Sequence, residues 1–247
     1  MSILARLQKQ ETEKPYILVV GRSSAGKTTL SGTLSGRTLL IQPKGKERGA
    51  QTAISMAKTR GNEVVAVSVS SVSEILQLAE ELKTDKSFDS IYLDGLTALT
   101  FLVAEDPIIS ELLEAKKGSA NPFLGYEKIR AEVAKVNKAL SELTYASVTK
   151  PKNVIVTLAI DIKTDMNGAP LECVPAMRGK ASFTEFTRPS PTIVTLASRQ
   201  TEQGLERILL TANNGIFLGR VNGILDEVNP KVIEPDLSKL LSLMETK

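Results

Sequence analysis

The sequence predicts an α/β fold: a mostly parallel sheet flanked by helices, with antiparallel strands added late in the chain. Three observations carry this. Short runs rich in β-branched and aromatic residues alternate with helix-like segments from Tyr16 to Ile160, the pattern of parallel strands joined by helical crossovers. The first run, YILVV at 16–20, leads straight into GRSSAGKT at 21–28, which has the spacing GxxxxGK[ST] of a phosphate-binding loop between strand and helix. From Lys163 the texture changes to turn signals such as Asn167-Gly168 and short strand-like runs, which favour hairpins.

The elements follow in order. Met1 to Lys14 reads as a tail or short amphipathic helix, with Ile3, Leu4 and Leu7 as a small contact face. Tyr16–Val20 is a buried strand. Arg37–Ile41 is the second strand, followed by a charged loop over Gln42–Gly49 and a helix over Ala50–Lys58. Glu63–Val69 is the third strand. Ser71 and Glu74 have capping-box spacing ahead of Ile75, Leu76, Leu78 and Leu82, so a helix starts there. Phe88–Leu93 is a strand ending at Asp94. Leu96–Ala120 reads as broken helices, and Tyr126–Leu143 as one long helix with Ile129, Val133, Val136, Leu140 and Leu143 on one side. Asn153–Ile160 is another buried strand, ending at Asp161. Thr192–Ala197 and Leu205–Leu210 are late strands, and Pro235-Asp236 opens a last short helix through Met244. The domain reading is a tail at 1–14, a nucleotide-binding core at 15–215 and a C-terminal extension at 216–247.

Composition narrows the chemistry. The chain has 247 residues, 42% hydrophobic and 24% charged, which is ordinary for a globular domain. No apolar run reaches the ~18 residues of a membrane span, and residues 1–15 lack the apolar core of a signal peptide; the expectation is a cytoplasmic protein with no membrane partner. Cys173 is the single cysteine and there is no histidine. That excludes an intrachain disulfide, His-based zinc sites and a Ser-His-Asp triad. A net charge of +3 and 4% aromatics argue against a strongly basic nucleic-acid wrapper and against extended base stacking, though a local basic channel fits within that balance.

The residues at 21–29 each have a physical task. Gly21 and Gly26 let the backbone curl. The amides of Gly21, Arg22, Ser23, Ser24, Ala25, Gly26, Lys27, Thr28 and Thr29 then form an anion nest at a helix N-terminus. Lys27 reaches the β- and γ-phosphates, and the Thr28 hydroxyl ligates Mg²⁺. Asp94, an acid at the carboxyl end of a buried strand, is the expected partner of the metal's water; its plainer reading is a turn-forming Asp-Gly pair. Asp161 either positions water near the γ-phosphate or caps the following turn. The two βα units between the loop and Asp94 suit a RecA-type core. No NKxD guanine reader follows the late strand, which favours ATP.

GRSSAGKTTL, FDSIYLDGLTAL, NVIVTLAI and PAMRGKASF (175–183) together resemble phage-encoded RecA-like core ATPases of the AAA type, among them a single-strand annealing group. The resemblance covers about residues 15–214. It implies a RecA-like core without extra DNA-binding domains. It further implies binding of single-stranded DNA in annealing or recombination, with a single-strand DNA-binding protein as partner. In such proteins Lys27 and Thr28 match the phosphate and Mg²⁺ contacts and Asp94 the metal-site acid. RecA-type ATPases place ATP between protomers of a homo-oligomer, with a neighbour's arginine near the γ-phosphate. Arg178, Lys180, Arg188 and Arg199 are candidates for that contact or for a DNA channel, against a reading as ordinary surface charge.

The sequence departs from that pattern at one position. RecA-like enzymes carry a catalytic glutamate just after the second core strand; alignment on Leu39–Ile41 puts Gln42, Pro43 and Lys44 there, with Lys44 at the acid's position. Glu47, three residues on, is the substitute. Slow ATP hydrolysis is the expectation. The alternative function is a nucleotide-dependent phage structural or assembly protein with no DNA role.

Overall fold

The computed structural model describes residues 14–45, 49–114, 121–145, 147–167, 170–178, 187, 192–212, 217, 219 and 232–245. The expected N-terminal tail or short helix (bar its last residue, Lys14), the turn at Asn213–Gly215, and Glu47, Lys180 and Arg188 lie outside them.

The strands are β1 (Tyr16–Gly21), β2 (Arg37–Pro43), β3 (Glu63–Val69), β4 (Ser90–Leu93), β5 (Asn153–Thr164), β6 (Pro170–Pro175), β7 (Thr192–Thr201), β8 (Gly204–Leu210) and β9 (Val232–Ile233). The helices are α1 (Lys27–Leu30), α2 (Ala50–Thr59), α3 (Val72–Thr84), α4 (Leu96–Ala104), α5 (Pro107–Leu113), α6 (Pro122–Glu142) and α7 (Leu237–Glu245). They build one sheet in the order β3-β2-β4-β5-β1-β7-β8-β9, with β6 paired to the far end of β5. The run from β3 to β7 is parallel, and β6, β8 and β9 pair antiparallel. The mixed architecture is therefore the one the sequence predicts.

Alternation along the strands sorts side chains to two faces. One face carries Leu18, Val20, Leu39, Ile41, Ile91, Leu93, Val154 and Val156, covered by α3, α4, α5 and α6 through residues such as Ile75, Leu99, Ile109, Ile129 and Val133. The other carries Ile17, Val19, Leu40, Tyr92, Ile155, Val194 and Leu209, covered by Leu30 of α1, Leu34, Ala53 and Ala57 of α2, and Leu237, Leu240 and Leu241 of α7. Because β1 is buried along its whole length, it reads as a continuous apolar run, as a central parallel strand must.

Several boundaries differ from the sequence reading for local reasons. Gln42 and Pro43 belong to β2, not to the charged loop, because they stay paired to Ser68 and Val69 of β3. The long helix starts at Pro122, four residues early: the Asn121 side chain accepts from the Leu124 amide at 3.1 Å and Pro122 occupies the first turn, a start signal of its own. β5 runs past Ile160 to Thr164 because β6 folds back on it, pairing Ile160 with Pro175 and Asp161 with Val174. The capping box of α3 forms with a shift. Ser71 Oγ accepts from the Glu74 amide at 3.2 Å, and Glu74 reaches back to the amide of Ser70 at 2.8 Å, one residue earlier than the standard pairing.

Candidate nucleotide site

The site lies where β1 gives way to α1. At Gly21 a Cβ would sit 2.8 Å from the Leu196 carbonyl of β7, so the loop leaves the sheet at a point with no room for a side chain. Ser24 (φ 62°) and Gly26 (φ 100°) take left-handed conformations that turn the backbone back into the helix. The Gly26 carbonyl accepts the first helical bond, from the Leu30 amide at 3.0 Å. A helix this short is held by tertiary contacts: the fully buried Tyr92 of β4 donates its hydroxyl to the Lys27 carbonyl at 2.5 Å. Burial, and then the charge of Asp94, raise the Tyr92 pKa well above its ordinary value, so this hydroxyl stays protonated as the donor.

Four side chains converge beside the loop. Asp94 is 2% exposed, and among the described residues every hydrogen bond it accepts from a side chain comes from a neutral group. Thr28 Oγ1 donates to Oδ2 at 2.6 Å, Gln42 Nε2 donates to Oδ2 at 3.1 Å, and Thr157 Oγ1 donates to Oδ1 at 3.0 Å. The parallel register explains the meeting. Ile41 pairs with Leu93, and Leu93 with Val156, so Gln42, Asp94 and Thr157 are the next residues in one row across β2, β4 and β5. Each follows a residue of the opposite face, Ile41, Leu93 or Val156, so by alternation all three lie on the face that α1 covers. Gln42 and Thr157 are not apparent from the sequence: no spacing motif joins them to Asp94, and only the strand order does.

Lys27 Nζ lies across the mouth of the loop, donating to the carbonyls of Gly21 at 3.0 Å and Arg22 at 2.9 Å. Gly49, at the start of α2, closes the other side; a Cβ there would lie 3.5 Å from Thr28 Cγ2. This donor set fits Mg²⁺ with a nucleoside triphosphate. One carboxylate and one hydroxyl stand within a hydrogen bond of each other, and among the described residues no group of three acidic, His or Cys side chains forms a dedicated metal cage. That is the pattern for Mg²⁺, which keeps several waters and takes the rest of its oxygens from phosphate. When bound, the ion would neutralise charge on the β- and γ-phosphates. Thr28 and Asp94 would hold it, and Lys27 would exchange its loop carbonyls for phosphate oxygens.

The remaining sequence candidates are spread more widely. Ala159 of β5 pairs with Gly21, so Asp161 lies two residues beyond the loop's level; it is exposed and belongs to the β5–β6 hairpin. Lys44 is exposed in the turn after β2, so the β2 side chain that reaches Asp94 is an amide. Arg178, after β6, stacks its guanidinium 5.2 Å from the Phe101 ring, and its amide donates to Thr100 Oγ1. Arg199 of β7 pairs with Glu206 of β8 at 2.7 Å.

The family model for the AAA domain matches residues 13–220 of the chain. No curated protein sequence matches it. Among the described residues no helix is long and apolar enough to cross a membrane.

Proposed function

Since the chain belongs to the AAA domain family, with a match that covers residues 13–220, we propose that it is a slow ATPase that acts with single-stranded DNA in phage recombination or strand annealing. The observation that carries the nucleotide half is the convergence of Thr28, Gln42 and Thr157 on the buried Asp94, beside a complete phosphate loop. A buried carboxylate whose donors among the described residues are all neutral is suited to accept a cation. Lys44 at the acid's position, with the amide of Gln42 as the β2 side chain that reaches Asp94, supports slow turnover. An amide can orient a water, as a glutamine does in some P-loop GTPases, but it cannot accept the water's proton. Glu47 or Asp161 supplies the remaining carboxylate. Single-turnover hydrolysis of Glu47→Gln and Asp161→Asn separates chemistry from binding; loss in one variant alone identifies the group.

The DNA half rests on the resemblance of GRSSAGKTTL, FDSIYLDGLTAL, NVIVTLAI and PAMRGKASF to the annealing group. In this reading the protein assembles as a homo-oligomer, with Arg178, Lys180, Arg188 and Arg199 as DNA or inter-protomer contacts and a single-strand DNA-binding protein as partner. The test is binding of single strands of unrelated sequence across a salt series, with and without ATP and Mg²⁺. Replacing Arg178 and Lys180 together is expected to weaken all sequences alike and to flatten the slope of log K against log salt, because fewer counterions are released. One observation favours the second reading, a nucleotide-dependent phage assembly protein with no DNA role: Arg178, just after β6, and Arg199, within β7, are each engaged with a neighbouring side chain. Absence of DNA binding at low salt, with ATP bound, would select it.

A further inference from the structure

Arg207 is not part of any motif in the sequence, yet it lies against the phosphate loop. A Cβ added at Gly26 would meet the Arg207 guanidinium at 3.3 Å from Cζ and from Nη1 and 3.5 Å from Nε. The contact follows from the sheet. Leu196 of β7 pairs with Gly21 of β1 and with Leu209 of β8, so β8 passes the loop one strand away. Leu209 packs on the face that α1 covers, and Arg207, two residues earlier on the same strand, shares that face at the level of the loop. Its neighbour Glu206 points the other way and pairs with Arg199. Leu205, again on the loop's face, is 72% exposed.

The direction of a bound nucleotide is fixed by its metal end. Thr28 and Asp94 mark where the β- and γ-phosphates meet the cation, and Asp94 comes from β4, on one side of β1. Arg207 comes from β8, on the opposite side of β1. A triphosphate seated with its metal end at Asp94 therefore runs its nucleoside over Gly26 toward β7 and β8. We propose that Arg207 is a nucleotide contact supplied by the same chain, its planar guanidinium packing on the purine–ribose end while Leu205 lines the apolar flank. This rests on the reading of residues 21–28 as a nucleotide site. A guanidinium is suited to the task because it is flat, permanently charged and weakly hydrated, so it can stack on an aromatic base.

The test compares two ligands that share phosphates and differ in the nucleoside. Calorimetry with Mg²⁺ measures ATP and inorganic tripolyphosphate on the parent protein, on Arg207→Ala and on Arg207→Lys. The expected result is a loss of about tenfold in ATP affinity for both variants, the size of one base-stacking contact. Tripolyphosphate affinity should stay within about twofold, the scale of a screened charge at a distance. Lysine fails to rescue because it has the charge without the plane. Equal losses for both ligands, restored by lysine, would show a phosphate-charge role and overturn the placement at the nucleoside end. Unchanged ATP affinity in Arg207→Ala would remove Arg207 from the site altogether while leaving the phosphate loop intact. If the parent bound neither ligand, the nucleotide reading itself would fall, and this inference with it.

Discussion

The two ends of strands β2, β4 and β5 each hold a polar cluster, and the two are built on opposite principles. At the carboxyl end Asp94 is buried among hydroxyls and an amide, with Thr28, Gln42 and Thr157 as donors. At the amino end the charged groups are paired within the protein, while the neutral Thr38 Oγ1 and Asn153 Oδ1 are buried without a hydrogen bond and Arg37 Nε meets its carboxylate as an ion pair only. Asp89 meets Lys150 at 2.6 Å and accepts the Arg37 amide at 2.9 Å, while Arg37 pairs with Glu63 and stacks over Phe88. Lys152, fully buried, donates to the carbonyls of Leu82, Asp85 and Lys150 at 2.8, 2.9 and 3.0 Å. One end balances its charges with its own residues. At the other, Asp94 has no cationic side-chain partner among the described residues. The difference supports the proposed nucleotide site on grounds other than the motif.

The largest effect should come from disturbing the charge-balanced end. Lys152 ties the last turn of α3 to the start of β5, and its three donors match three acceptors. Burial lowers its pKa, but removal of the amine leaves all three carbonyls short of a donor. Lys152→Met keeps the stem and should lose about 2–4 kcal/mol of unfolding free energy in urea, at roughly 1 kcal/mol per orphaned buried acceptor. ATP affinity of the folded fraction should not change. A shift in affinity without loss of stability would mean that the two ends are not separate in function.

Lys27→Ala should do the reverse. It removes charge-assisted bonds worth about 2–3 kcal/mol, which corresponds to a loss of about 30- to 150-fold in ATP–Mg²⁺ affinity, with little change in thermal unfolding of the free protein. Equal affinity in parent and variant would remove the loop from the site. Thr157→Val lies between the two ends in character. It takes away the donor to Asp94 Oδ1 in a dry setting, and about 1.5 kcal/mol of stability should go with it. Mg²⁺ is expected to restore part of that loss, because the cation satisfies the same carboxylate. A variant that Mg²⁺ and ATP leave as unstable as before would show that Asp94 is not at the metal.

The comparison also explains what could be read without coordinates. The phosphate loop is contiguous, so GRSSAGKT and its flanking strand announced it, and Asp94 follows from its position at a strand end. Gln42 and Thr157 reach Asp94 through the neighbours β2-β4-β5, and Arg207 reaches Gly26 through β1-β7-β8; strand order, not spacing, makes those contacts. The amino-end cluster was silent for the same reason. Asp89 and Lys150 are far apart in sequence, and a buried lysine such as Lys152 contradicts the usual expectation for its type. The long helix begins ahead of its apolar pattern because a local cap, Asn121-Pro122, starts it four residues sooner.

The smallest effect concerns Asp89 and carries a pH signature. Burial would raise the Asp89 pKa, but the Arg37 amide and the Lys150 ammonium outweigh it and hold the carboxyl below its ordinary value. The folded state therefore binds this proton less readily than the unfolded chain. Its contribution is present in full above the unfolded pKa of about 3.9. It fades as pH falls through the folded value, because protonation then becomes possible in both states. Both side chains of the Asp89–Lys150 pair are more than a third exposed, 41% and 37%, so water screens them and the contribution is about 0.5–1 kcal/mol at neutral pH. Asp89→Asn keeps an oxygen for the Arg37 amide and removes only the charge. Urea unfolding of parent and variant should differ by that amount at pH 7 and converge as pH falls through the lowered folded-state pKa of Asp89, where the parent's carboxyl is protonated too. Asp94→Asn supplies the contrast. Asp94 lacks a cationic side-chain partner among the described residues, so its loss should appear chiefly as weaker Mg²⁺–ATP binding. If Asp89→Asn weakened nucleotide binding as much as Asp94→Asn, the division between a charge-balanced end and a nucleotide end would not hold.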